Sequence, residues 1–289
     1  MKQNRLVTRW WHQPAVNRVR HALTPSYWYR YCTHQDRALP DFLIAGAMKA
    51  GTTSLFGYLQ QHPQCSPSMK KEVNYFCRNF SRGMKWYRMH FPRITARTQG
   101  SQCFEATPGY IFDPRVPRRV LSELPNVRVV CLLRNPVDRA YSHYQHNVRR
   151  GREPLSFAEA IAAEPQRLEG EVERIREVDS YQSHSHFHFS YLARGNYADQ
   201  LAVWMRHFPA DRLLVLQAET LFRQPQQVLD QTHEFLGLDP FSPVTLGNHY
   251  PGRYRVAMEG AMRRRLETHY EPHNQRLFRL LGRSFDWTG

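Results

Sequence analysis

Gly46-Ala47-Met48-Lys49-Ala50-Gly51-Thr52-Thr53-Ser54 sets one lysine between two glycines and follows it with three hydroxyls. Glycines let a backbone curl until several N–H groups face one anion. A helix opening there adds the positive end of its dipole. Lys49 supplies a full charge, and Thr52, Thr53 and Ser54 supply donors to the same oxygens. The segment reads as an anion cradle, with Ala50 and Gly51 offering backbone rather than side chain.

A second cluster is Arg134-Asn135-Pro136-Val137-Asp138-Arg139-Ala140-Tyr141-Ser142, about 85 residues further on. Arg134 ends a buried apolar run, and its fork suits a phosphate bidentately. Ser142 lies on the helix expected to follow and can add a hydrogen bond. The first loop is not the GxxxxGK[ST] of the common nucleotide triphosphatases, because Lys49 precedes its second glycine. The Lys-Ser/Thr pair that holds Mg²⁺ beside a γ-phosphate is therefore missing.

These residues need elements to carry them. Residues 41–47 (DFLIAGA) predict a first strand, and a helix follows from about 52 to 61, stopping before Pro63, with Leu55, Phe56, Tyr58 and Leu59 inward. Residues 127–133 (VRVVCLL) form the apolar run expected of a parallel strand buried on both faces. Asn135-Pro136 opens a helix to about Arg149. A further strand is expected at 212–217 and a helix at 225–236. Strand–helix alternation implies a single α/β, P-loop-like domain with a central parallel sheet flanked by helices. Residues 157–178 read as a charged surface insertion or lid, and 258–281 as a long amphipathic helix broken near Pro272.

The 289 residues carry 40 Lys+Arg against 25 Asp+Glu, a formal charge of +15. Such an excess favours anionic partners without choosing among them. No nucleic-acid-binding motif is present, so no nucleic acid is expected. The five cysteines are scattered without metal-type spacing, compatible with a reducing compartment. Residues 1–39 are a basic extension holding Trp10, Trp11 and Trp28, and 40–289 form the domain. That extension either packs on the domain or makes a peripheral membrane contact. No stretch reaches the roughly 18 apolar residues of a spanning helix, and no leader is evident, which predicts a cytoplasmic, at most membrane-associated, protein.

Lys49-Ala50-Gly51-Thr52-Thr53-Ser54-Leu55 resembles the 5′-phosphosulfate loop of sulfotransferases that use 3′-phosphoadenosine 5′-phosphosulfate (PAPS). The run from Leu133 to Tyr144 resembles their 3′-phosphate segment. The Tyr191 to Phe222 block is similar to that family's, and Glu271-Pro272-His273-Asn274-Gln275-Arg276-Leu277-Phe278 with Phe285-Asp286-Trp287 resembles the tail of its glycan-modifying, heparan sulfate sulfotransferase-like branch. The resemblance implies sulfuryl transfer from PAPS to a hydroxyl or amino group, of a carbohydrate or glycan, without a metal. It makes Glu72, in Lys70-Lys71-Glu72-Val73-Asn74-Tyr75-Phe76, the general base, unless it is a surface residue paired with a neighbouring lysine. Lys49 becomes the group that neutralises the leaving oxygen. Gly252, Arg253 and Tyr254 resemble a late loop covering the nucleotide, with Pro251 where a lysine is usual.

Lys71, Asn74 and Glu105 are the candidates for acceptor contact, though Glu105 reads equally as a structural partner of a nearby arginine. Asn74 stands where a histidine often follows the base, Cys77 where an aspartate often lies, and Ala106 where heparan 3-O-enzymes carry a lysine. These departures leave sulfuryl transfer intact and the acceptor open. His184, His186 and His188 alternate, so a strand would align them for a metal, an acceptor contact or plain surface. The competing readings are a P-loop kinase for a small hydroxylated acceptor and, further off, a basic nucleic-acid-binding protein. Nucleotide selectivity separates them: the 3′-phosphorylated nucleotide should bind and ATP should not.

Overall fold

The computed structural model describes residues 24–245 and 257–287. Helix α1 (Pro25–Cys32) leads to β1 (Phe42–Gly46), α2 (Thr52–Leu59) and β2 (Cys65–Pro67). Helix α3 (Gly83–Arg88), β3 (Gln102–Ala106), α4 (Val116–Glu123), β4 (Arg128–Leu133) and α5 (Pro136–Arg149) follow. Next come α6 (Phe157–Leu168), α7 (Glu171–Glu177), α8 (His184–His188), α9 (Tyr197–Met205), β5 (Leu213–Gln217), α10 (Ala218–Arg223), α11 (Pro225–Leu236) and α12 (Gly260–Leu281).

The five strands form one sheet in the order β2-β3-β1-β4-β5, and every adjacent pair is parallel. From β1 the chain goes to the β2 edge, returns to place β3 between β2 and β1, then crosses to lay β4 on the other side of β1. The reversal puts a topological switch point between β1 and β4, where ligands of open α/β sheets bind. Both strands are buried on two faces, from Phe42 to Ala45 and from Val129 to Leu133, as the apolar runs require. Phe42 and Phe104 stack across β1 and β3 with ring centroids 4.8 Å apart.

Helix α5 starts where Asn135-Pro136 predicts. The Asn135 side chain accepts from Val137 N at 2.9 Å, and proline occupies the first turn, where no N–H is needed. The expected insertion is two helices, α6 and α7, turned at Gly170. Glu164 docks α6 onto the body by accepting from the amides of Leu192 and Ala193 at 2.6 and 2.8 Å.

Two expectations are corrected. Helix α12 runs unbroken through Pro272. The proline is exposed, so the carbonyl it frees can meet water, while buried Tyr270 and Leu277 hold the helix on either side. His184, His186 and His188 sit on α8, not a strand. Ser183 caps that helix, accepting from His186 N at 2.9 Å. On the helix the His184 and His188 rings lie 4.6 Å apart while His186 stacks on Phe112, and no metal-competent cluster of three His, Cys, Asp or Glu occurs among the described residues.

Helix α12 reaches the body through a close approach at Gly195. A Cβ there would lie 2.5 Å from the Tyr270 hydroxyl, whose own hydrogen bond goes to the Leu192 carbonyl at 2.9 Å. Gly195→Ala is therefore expected to lower stability by about 1–3 kcal/mol through overpacking, read as a lower urea midpoint. An unchanged midpoint would show that α12 yields without loss.

Candidate functional site

The loop after β1 and the end of β4 meet at the switch point. Arg134 Nη1 donates to the Lys49 carbonyl at 3.1 Å, joining the two motifs directly. Lys49 itself takes φ 71° and Gly51 φ 90°, a left-handed backbone that turns the loop into α2. Only glycine fits at 51, because a Cβ would meet the Phe222 ring at 2.8 Å. Thr52 and Thr53, in the first turn of α2, have amides with no acceptor inside the helix. Thr52 and Ser54 are buried, and Thr53 is half-buried.

Positive charge converges on this point. Burial pushes the Lys49 ammonium down to about 8, and Arg149, Arg134 and Lys71 push the same way, while Glu72 opposes them. Lys49 thus lies within electrostatic reach of both phosphate motifs and of the predicted base. Ser142 is buried on α5. His146 and Arg149, four and seven residues beyond it, share its helical face. Burial, then Lys49, pushes the His146 ring down to about 4. A site this cationic, with free helix-start amides, fits a doubly phosphorylated or phosphosulfated nucleotide.

The β4 end is braced from the C-terminal side. Glu219 accepts from Asn135 N at 2.8 Å and from the Trp287 indole at 3.1 Å, while Asn135 Nδ2 donates to the Trp287 carbonyl at 2.8 Å. Tyr197 donates to the Arg134 carbonyl at 2.9 Å. Glu219, Trp287 and Tyr197 thus brace the backbone around Arg134, and none of them carries a site signal in the sequence. Arg149 was also missed, although its spacing from Ser142 was the available signal.

Glu72 lies on a loop hung from the end of β3. Its amide donates to the Ala106 carbonyl at 2.9 Å. Asn74 N donates to Thr107 Oγ1 at 3.2 Å, and Asn74 Nδ2 to the Glu72 carbonyl at 2.8 Å. Glu72 and Asn74 both hold left-handed backbones, φ 63° and 56°. For non-glycine residues these conformations cost on the order of 1–3 kcal/mol each and gather at functional sites. The Glu72 side chain is 50% exposed and pairs with Lys71 at 3.2 Å, so the lysine pairing and the site position hold together.

Glu105 is corrected as an acceptor contact. It is fully buried, so it lines no open cleft, and its partners are hydroxyls rather than an arginine. Tyr87 and Tyr110 donate to its Oε1 at 2.8 and 2.7 Å, and Thr107 to its Oε2 at 2.8 Å. Burial raises its pKa against those three hydrogen bonds. Gly252, Arg253 and Tyr254 lie outside the described residues.

Removing the Glu105 carboxylate leaves two tyrosine hydroxyls buried without an acceptor, at about 1–3 kcal/mol each. Glu105→Ala should therefore lose about 2–6 kcal/mol in chemical denaturation, and Glu105→Gln, which keeps an acceptor, less than half as much. Equal losses would show that the hydroxyls do not depend on this oxygen.

Residues 39–247 match the Sulfotransferase domain family. The crystal structure of a sulfotransferase from Alicyclobacillus acidocaldarius superposes with a TM-score of 0.68 at 31% identity, covering 86% of this chain and 98% of that one. The membrane-associated sulfotransferase kil1 of Dictyostelium discoideum is 28% identical over 86% of this chain and 66% of its own length. The human bifunctional heparan sulfate N-deacetylase/N-sulfotransferase 3 is 31% identical over 84% of this chain but only 30% of its own. The chain thus spans just under two thirds of the first relative and less than a third of the second. No helix among the described residues is long and apolar enough to cross a membrane. With its family match covering residues 39–247, more than half of its length, the chain belongs to the sulfotransferase family.

Proposed function

We propose that this chain sulfates a hydroxyl or amino group of a saccharide acceptor, with residues 40–289 as the catalytic unit. The observation that carries the reading is Lys49, whose carbonyl accepts from Arg134 at 3.1 Å and whose ammonium feels the charges of both Arg134 and Glu72. Lys49, the backbone of Ala50 and Gly51, and the donors of Thr52, Thr53 and Ser54 hold the phosphosulfate end. Arg134 and Ser142 hold the 3′-phosphate.

Bound PAPS supplies a sulfuryl group on an anhydride whose bridging oxygen becomes negative as the bond breaks. Lys49 stabilises that charge from a site already poor in water, where electrostatic contributions are largest. Glu72 takes the proton of the attacking acceptor group. Lys71 pairs with Glu72 at 3.2 Å, and Asn74 donates to the Glu72 carbonyl and fixes its backbone. The scheme uses no metal, because Lys49 and Arg134 provide the positive charge. The glycan reading of the acceptor draws on the heparan sulfate enzymes among the relatives and on the cationic surroundings of Glu72.

The test is thermal stabilisation by 3′-phosphoadenosine 5′-phosphate, with ATP and 5′-AMP as controls. Only the 3′-phosphorylated nucleotide should raise Tm, and Arg134→Ala should abolish the shift. Glu72→Gln should keep the shift and lower kcat by roughly 10²–10⁴-fold, the usual span for a lost general base. An equal shift with ATP would return the kinase reading to the front.

A peripheral membrane contact is part of the same proposal. Trp28 and Tyr29 are each 54% exposed on α1, Ile94 is 52% exposed, and the Arg93 guanidinium lies 5.4 Å from the Tyr29 ring. Aromatic side chains flanked by cations suit an anionic lipid surface, and the amoebal relative is membrane-associated by name. The chain should sediment with phosphatidylcholine vesicles only when phosphatidylserine is included, and Trp28→Ala should weaken this. Sedimentation indifferent to phosphatidylserine would rule the contact out.

A further inference from the structure

Residues 72–74 belong to no helix or strand, and Tyr75 and Phe76 open a helical turn whose first amides have no acceptor inside it. Val73, Tyr75 and Phe76 are buried, so their amides need partners from the protein rather than from water. Glu72 alone of these residues is exposed.

All five amides find acceptors at the end of β3 or in the turn that follows it. Glu72 N donates to the Ala106 carbonyl at 2.9 Å, and Asn74 N to Thr107 Oγ1 at 3.2 Å. Tyr75 N and Phe76 N donate to the Tyr110 hydroxyl at 2.9 and 3.4 Å. The Val73 amide donates to the Glu105 carboxylate itself.

Two of these acceptors are hydroxyls, and a buried hydroxyl that accepts from an amide must still place its own proton. Both place it on Glu105, Thr107 on Oε2 at 2.8 Å and Tyr110 on Oε1 at 2.7 Å. Tyr87 donates to Oε1 at 2.8 Å, with its ring stacked on Tyr75 at 4.4 Å. An ionised carboxylate offers about four acceptor sites and no donor. It therefore fixes the direction of every bond around it. A carboxamide in its place would keep the tyrosines on its oxygen only by turning an N–H towards Thr107, which would then lose its acceptor. A core that needed only to satisfy two tyrosines would not require a fully buried charge, which is costly to hold.

We propose that Glu105 is a positioning residue for sulfuryl transfer: directly, and through Thr107 and Tyr110, it collects the amides of residues 73–76 and so fixes where the Glu72 carboxylate stands. The inference rests on the reading of Glu72 as the general base. It gives Glu105 a part in the reaction without contact with acceptor or nucleotide.

The test compares Thr107→Val, which keeps the shape and removes the hydroxyl, with Thr107→Ser, which restores it. Two readouts are taken on the full chain. One is amide hydrogen exchange, and the other is turnover with PAPS on heparosan and on its de-N-acetylated, amine-bearing form. Thr107→Val should speed exchange of residues 72–76 by about 10-fold while β1 stays protected. It should also lower kcat by about 10–100-fold, the scale of a misplaced catalytic group, with KM for PAPS unchanged. Thr107→Ser should restore both. Glu105→Gln should lower kcat as Thr107→Val does, although its urea midpoint falls less than that of Glu105→Ala. Unchanged loop exchange in Thr107→Val, an unchanged kcat in a variant whose loop exchanges faster, or no recovery in Thr107→Ser would each overturn the positioning role. Full turnover in Glu72→Gln, with loop exchange as expected in the Thr107 variants, would instead remove Glu72 as the base, and the positioning role with it.

Discussion

A buried carboxylate organises the acceptor side of this enzyme. Glu105 sits in the core at the end of β3, where an unpaired charge would be intolerable, and three hydroxyls make it tolerable. One of them, on Thr107, also accepts from Asn74 N, so the hydrogen-bond chain runs from core to surface loop. The Tyr110 hydroxyl extends it by accepting from Tyr75 N at 2.9 Å. The left-handed turn that aims Glu72 is thus secured from beneath by a group that never meets substrate. Strain at Glu72 and Asn74 persists because this network over-determines it.

The donor side rests on a different balance. Lys49, Arg134 and Arg149 repel one another, as the depressed Lys49 shows. The fold holds them together with contacts that do not cancel their charge. Arg134 is fixed through a carbonyl and a ring, and its own carbonyl is fixed by Tyr197. Glu219, which accepts from Asn135 N beside Arg134, is spent on that amide and on Trp287. The positive potential is therefore left for a ligand, which is how a preorganised anion site differs from an ion-pair network.

What could be read in advance follows the range of the interactions. The phosphate loop, the β4 strand and the Asn135-Pro136 helix start were legible because each is local: apolar runs, glycines and a cap within a few residues. Glu105 was not, because its environment comes from Tyr87 and Tyr110, brought in by packing. The histidine triplet was left open because alternation over five residues fits a strand as well as a short helix. Ser183, three residues before His186, was the local sign of a cap. Pro272 suggested a break that its exposure makes unnecessary. The tail ending in Trp287 was noticed only as a resemblance, since its work is done on Asn135, 152 residues away.

That last contact bears on how the molecule comes into being. Asn135 is translated long before Trp287, yet its side chain and the neighbouring Glu219 complete their bonds only with that indole and its carbonyl. During synthesis the sheet can assemble from β1 to β5 while the arginine at its switch point still lacks its brace. A chain that has not yet reached Trp287 would hold the five strands while Asn135 and Glu219 still lacked these two partners.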